Sequence, residues 1–154
     1  MSDNVIDKPG GMTFIVKIIL SLVIGFMILF GINLVFYGQL TPGGGFPGGV
    51  VIAIAFIALV IAFGRQRALR IIPDFTASLL DSIGAFLFLL IGIIGMAAGY
   101  FFYNWLWRGV PFNLVSAGTI VLSNLAIALK VGAGLYGIFL ALAIYGKRED
   151  KEGK

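Results

Sequence analysis

The sequence predicts an all-α integral membrane protein with four transmembrane helices and a glycine-rich outer loop between helices 1 and 2. Three observations carry that prediction. Of 154 residues, 60% are hydrophobic and only 12% charged, far from the averages of soluble domains. Four apolar stretches approach or exceed the roughly 20 residues that cross a bilayer. The basic residues collect in the gaps between those stretches, on alternate sides.

The polar segment 1–11, with Asp3 and Asp7, is followed by an apolar run from about Phe14 to Phe36. That run is too long for the hydrophobic region of a cleavable signal and no A-x-A site follows it. It is therefore expected to remain as an anchor. Lys17, about one turn in, is expected to snorkel to the nearer surface. The second span is expected at about 47–63. Val50 to Phe63 alone gives roughly 21 Å at about 1.5 Å per residue, short of a core of about 30 Å. The helix must therefore borrow Phe46 to Gly49, with Pro47 tolerated in its first turn. The connection from Arg65 to Asp81 reads as interfacial, with Leu69, Ile71, Ile72 and Phe75 towards lipid and Arg65, Arg67 and Arg70 towards anionic headgroups.

The third span is expected at about 82–102, with Asp81 at its end. The segment from Tyr100 to Arg108 then carries six aromatics in nine residues, the signature of an interface belt. The fourth span lies at about 118–145, within a Leu114–Tyr145 stretch of roughly 48 Å if straight. Such a length predicts tilt, extension beyond the bilayer or a break near Asn124–Gly134. Residues 1–154 thus read as a single membrane domain with polar tails at 1–11 and 146–154. With the N-terminus in the cytoplasm, eight Lys and Arg fall inside and Arg108 alone falls outside. This split predicts a multi-pass cell-membrane protein with both termini cytoplasmic.

Small residues recur at helix-packing spacing: Ala55, Ala58 and Ala62; Gly92, Gly95 and Gly99; Ala133, Gly137 and Ala141. In lipid, close van der Waals approach rather than hydrophobic burial brings helices together. These faces serve packing within the chain, against partner subunits, or both.

The chemistry available is narrow. There is no cysteine and no histidine, which removes disulfides, thiolate metal sites, thiol nucleophiles and the commonest base and metal ligand. No metal site or cofactor is expected, and the net charge of +4 reflects membrane topology rather than nucleic-acid binding. Lys130 is the one charge deep in a span. Its insertion costs about 2.5–3.5 kcal/mol at the bilayer centre, and desolvation lowers a lysine pKa, which suits a proton carrier. No Asp or Glu is expected at mid-span, so its counter-charge is expected from another protein, in a polar pocket facing a partner subunit. Asn124 is a candidate for interhelical hydrogen bonding.

The segment from Gly38 to Val50 is uncharged and holds five glycines between Gly43 and Gly49. It lacks the Gly-Lys-Ser/Thr of a phosphate loop and the βαβ context of a dinucleotide fingerprint. It reads either as a tight connector or as bare backbone lining a cation or water route.

Gly38-Gln-Leu-Thr-Pro-Gly-Gly-Gly-Phe-Pro-Gly-Gly49 resembles the signature of the MnhB/MrpB-like subunits of Mrp-type multisubunit sodium/proton antiporters. Asn124-Leu-Ala-Ile-Ala-Leu-Lys-Val-Gly-Ala-Gly-Leu135 resembles the second signature of that family. The resemblance implies a non-catalytic subunit that scaffolds a large membrane assembly exchanging Na⁺ for H⁺. Related modules occur in archaeal membrane-bound hydrogenase and its sulfur-reducing relative. Carried onto this sequence, the motif backbone is Pro42, Gly43, Gly44, Gly45, Phe46, Gly48 and Gly49, and the ion-path candidates are Lys130, Asn124 and Gln39. Family members often have His where this chain has Gln39, an amide that hydrogen-bonds but does not titrate. Two other classes remain: an independent four-span homodimeric cation transporter, weakened by the lack of a carboxylate at depth, and a structural membrane scaffold.

Overall fold

The computed structural model describes residues 12–64, 69–106, 109–110, 113 and 116–152, with backbone only beyond 143. It contains four long helices and, among the described residues, no strand: α1 (Phe14–Tyr37), α2 (Gly45–Phe63), α3 (Asp74–Ala97) and α4 (Thr119–Glu152). All four are long and apolar enough to cross a membrane, α4 through its Thr119–Ala143 part. Arg65, Arg67, Arg108 and the tail 1–11 lie outside the described residues.

The helices line up as α1, α2, α4, α3, so that sequence neighbours pack in pairs and α2 and α4 join the pairs. One end of the bundle carries Gly44 and the other carries Arg70; they are called below the glycine end and the arginine end. At the arginine end, Val60, Ala77, Tyr136 and Leu140 form a buried cluster flanked by Phe56, Ile72 and Phe139. Tyr136 meets Phe56 edge-on at 6.0 Å, and its hydroxyl donates to the Ile72 carbonyl at 3.3 Å. A hydroxyl in this apolar cluster needs such an acceptor. α1 is held through Ile24 near its middle and Gly31 and Val35 in its second half, all three buried. Its first half exposes Phe14, Ile15, Ile18, Ile19 and Leu22.

Three boundaries depart from the hydropathy expectation. α2 starts at Gly45, two residues before Pro47, so its 19 residues give about 29 Å at about 1.5 Å each, close to a bilayer core. α3 starts after Pro73, eight residues before the expected span, and ends at Ala97. Pro73 cannot continue a helix from its N-terminal side, and Asp74 in the first turn suits the positive end of the helix dipole. The second half of the expected interfacial segment therefore belongs to a helix long and apolar enough to cross a membrane. α4 is unbroken through Asn124–Gly134, which removes the expected break, and the helix runs past its apolar part.

The aromatic segment folds back onto α3. Phe102 packs on Phe88 at 4.9 Å and on Phe101 at 4.6 Å. A Cβ on Gly92 would meet the rings of Phe101 and Phe102, and one on Gly95 would meet the Tyr103 and Phe102 backbone. These two glycines thus seat a loop rather than a neighbouring helix. Gly99 lies beyond the helix at φ 123°.

Candidate functional site

Two sites emerge, on different sides of α4. The first is the joint made by the glycine-rich segment. Opening a helix inside a membrane leaves its first amide groups without partners unless something else supplies them. Here the Gly44 amide donates to the Leu34 carbonyl near the end of α1 at 3.1 Å. The Gly45 amide donates to Asn124 Oδ1 of α4 at 3.3 Å. Pro47 has no amide hydrogen to satisfy, and the Gly48 amide donates to the Gly44 carbonyl at 3.1 Å. Asn124 therefore caps α2 from a helix 79 residues away in sequence. Gly44 stands at φ 123°, a conformation that side chains rarely adopt.

The remaining glycines are there for proximity. A Cβ on Gly45 would collide with the Asn124 carbonyl, and one on Gly49 would stand 2.8 Å from the Ala128 carbonyl. These two residues, one turn apart, set the face of α2 that touches α4. Gly48 turns to α1, where a Cβ would stand 2.8 Å from the Gly31 carbonyl and 2.5 Å from Val35 Cγ2. One short segment thus fits α2 against two helices at backbone distance. Gln39 is half-buried in the turn after α1, where the Leu40 and Thr41 amides donate to the Tyr37 carbonyl.

A parallel device opens α4 at the same end. Asn104 Oδ1 accepts from the Thr119 amide at 3.0 Å and from its hydroxyl at 3.2 Å. Its Nδ2 donates to the Ala117 carbonyl at 3.0 Å. In the sequence, Asn104 reads only as part of the aromatic loop. The available signal is an asparagine between aromatics, followed by Gly118-Thr119 ahead of an apolar run.

The second site lies between α4 and α3. Gly84 lets the helices cross closely, since a Cβ there would stand 2.7 Å from the Lys130 amide nitrogen and 2.8 Å from the Ala126 carbonyl. Beside that crossing, Lys130 Nζ donates to Asp81 Oδ1 at 3.1 Å. This corrects the expectation that no carboxylate of the chain could answer Lys130. With α3 beginning at Asp74, Asp81 lies about 10 Å inside the helix at about 1.5 Å per residue. Lys130 stands near the middle of the apolar part of α4. The pair is not sealed: the side chains are 49% and 37% exposed. Towards the arginine end the seam widens into a groove of about 340 Å³ lined by Asp74, Ser78, Asp81, Ala133, Gly137 and Ala141, among others.

The three sequence candidates therefore do not share a site. Asn124 and Lys130 are six residues apart, which turns them about 120° from each other around a helix axis. Asn124 serves the α2 seam and Lys130 the α3 seam. Among the described residues no group of three or more His, Cys, Asp or Glu could hold a metal ion.

Residues 15–137 match the model of the domain related to the MnhB subunit of Na⁺/H⁺ antiporter. The chain is 39% identical over 133 residues to an uncharacterized protein of Methanocaldococcus jannaschii, covering 82% of this chain and 50% of that protein. It is 31% identical over 133 residues to a Staphylococcus aureus protein named antiporter subunit mnhB2, covering 84% of this chain and 93% of that one. Its fold matches, with a TM-score of 0.71 and 32% identity, a chain in the membrane-bound sulfane sulfur reductase, an archaeal respiratory membrane complex. That match covers 82% of this chain and 56% of the other. The chain thus spans about half the length of the Methanocaldococcus protein and of the reductase chain.

Proposed function

The chain belongs to the family of domains related to the MnhB subunit of Na⁺/H⁺ antiporters, and from that premise we propose that it is a non-catalytic membrane subunit of an Mrp-type cation/proton antiporter module. Its partners are the other subunits of the assembly, and both termini face the cytoplasm. The likeness to a chain of an archaeal respiratory complex supports a host in which ion translocation is coupled to redox chemistry carried elsewhere.

The observation that carries this reading is the partly exposed Lys130–Asp81 pair on the flank of the bundle, with Lys130 near the middle of the apolar part of α4 and Asp81 in the first third of α3. Facing hydrocarbon, a charge at that depth costs about 2.5–3.5 kcal/mol. A partner subunit or water must meet it instead. We assign the pair to the lining of an ion path and the glycine joint, with Gln39 and Asn124, to scaffolding. The second reading, an independent homodimeric transporter, gains one observation: Asp81 supplies the carboxylate at depth whose lack weakened it.

Gentle solubilisation of native membranes and identification of co-purifying chains separates the two. Antiporter subunits in fixed proportion are expected. Recovery as a lone homodimer that exchanges cations in liposomes contradicts the subunit reading.

A further inference from the structure

We infer that the groove between α3 and α4 is the wall of a water-filled vestibule, which admits hydrated monovalent cations from the arginine end as far as the Lys130–Asp81 pair. The inference deepens the ion-path reading above and rests on it.

The groove is bordered on the α3 side by Asp74, Ser78 and Asp81 with Ala77 beside them, and on the α4 side by small residues, Gly137 among them, and Leu140. On α3 the spacing of four and then three residues keeps one face turned to the groove. On α4 all of the lining residues but Leu140 are small, and a Cβ on Gly137 would have nothing within 4 Å. The seam that is closed at Gly84 therefore opens below it, with about 340 Å³ of space, room for several waters. At the inner limit of that space stands the ion pair, 3.1 Å between Lys130 Nζ and Asp81 Oδ1, with both side chains partly exposed.

A lipid tail in the groove would set hydrocarbon against an ion pair whose two side chains are both partly exposed, and charge facing hydrocarbon is costly. Water avoids that cost. The polar atoms along α3 are side-chain oxygens, hard ligands suited to a hydrated cation or hydronium. The ammonium at the site is held by Asp81. A cation reaching Asp81 competes with Lys130 for the carboxylate, so the lysine is the group that an arriving ion displaces.

The chain has no cysteine, so single-cysteine variants report on their own positions. Two adjacent pairs share depth and differ in side: Ser78 and Gly137 border the groove, whereas Leu79 and Ile138 are exposed apolar residues beside it. The variants Ser78→Cys, Gly137→Cys, Leu79→Cys and Ile138→Cys are placed in membrane vesicles holding the assembled complex. Each is treated with a membrane-impermeant trimethylammonium methanethiosulfonate, then with its anionic sulfonate counterpart. Only a thiol in water ionises readily, so Ser78→Cys and Gly137→Cys are expected to react at least about tenfold faster than their neighbours. That labelling is expected from the side that carries Arg70, and faster with the cationic reagent. Rates equal to those of Leu79→Cys and Ile138→Cys overturn the vestibule, and a sulfonate reaction as fast as the cationic one overturns the ligand class. In either case the co-purifying subunits are unchanged, so the subunit reading would stand.

Discussion

The two seams of α4 use the same device and arrive at opposite ends. Against α2, glycines at 45 and 49 bring two backbones together, and Asn124 closes the polar opening with a hydrogen bond. Against α3, Gly84 makes an equally close crossing, yet the seam then opens beside an ion pair into a groove. Small residues alone therefore do not say whether an interface is polar or apolar; the pocket of about 270 Å³ beside the α2 seam is lined by Ile52, Phe56 and Leu125, among others. What decides is the facing helix. α2 answers α4 with glycine and backbone, whereas α3 answers it with Asp74, Ser78 and Asp81, which need water or a polar partner.

The contrast can be broken most severely at the apolar seam. Gly49→Leu drives a side chain into the Ala128 backbone, and a collision with backbone exceeds the usual overpacking cost of about 1–3 kcal/mol. We expect loss of monodisperse protein on size exclusion after detergent extraction; a normal elution profile would show that the seam is looser than described. Asn124→Ala keeps the packing and removes the acceptor of the Gly45 amide. A lost cap of this kind costs about 1 kcal/mol, seen as a lowered thermal midpoint with the complex still assembled. Gly137→Ala, in the open seam, meets nothing within 4 Å. It should be neutral or stabilising by up to about 1 kcal/mol, because alanine is the better helix former. A destabilised Gly137→Ala would mean that a partner helix fills the groove.

How much of this is legible in the sequence follows the same division. The four spans can be read from apolar run length, and the glycine segment announces itself by composition. Its mate on α4 does not, since a contact between Gly45 and Asn124 spans 79 residues and leaves no local trace. Hydropathy misplaces Asp81 for a more instructive reason. It puts a span where charge stops, so two aspartates and three arginines in the 65–81 region read as surface. The helix start is nevertheless written there as Pro73-Asp74, an extended proline at the cap followed by an acidic first turn. Giving that signal precedence over hydropathy carries Asp81 into the span and supplies the partner of Lys130. Asn104 escapes for a third reason: its role depends on a loop that folds back onto α3, which no periodicity encodes.

The central claim is that the Lys130–Asp81 pair serves ion movement while the glycine joint serves construction. It is tested most directly by comparing cation/proton exchange with complex recovery for Lys130→Ala in vesicles. The account predicts at least about a tenfold fall in exchange, about 1.4 kcal/mol of lost coupling, with the co-purifying subunits recovered in normal proportion. Exchange and assembly falling together, or exchange unchanged, would contradict it.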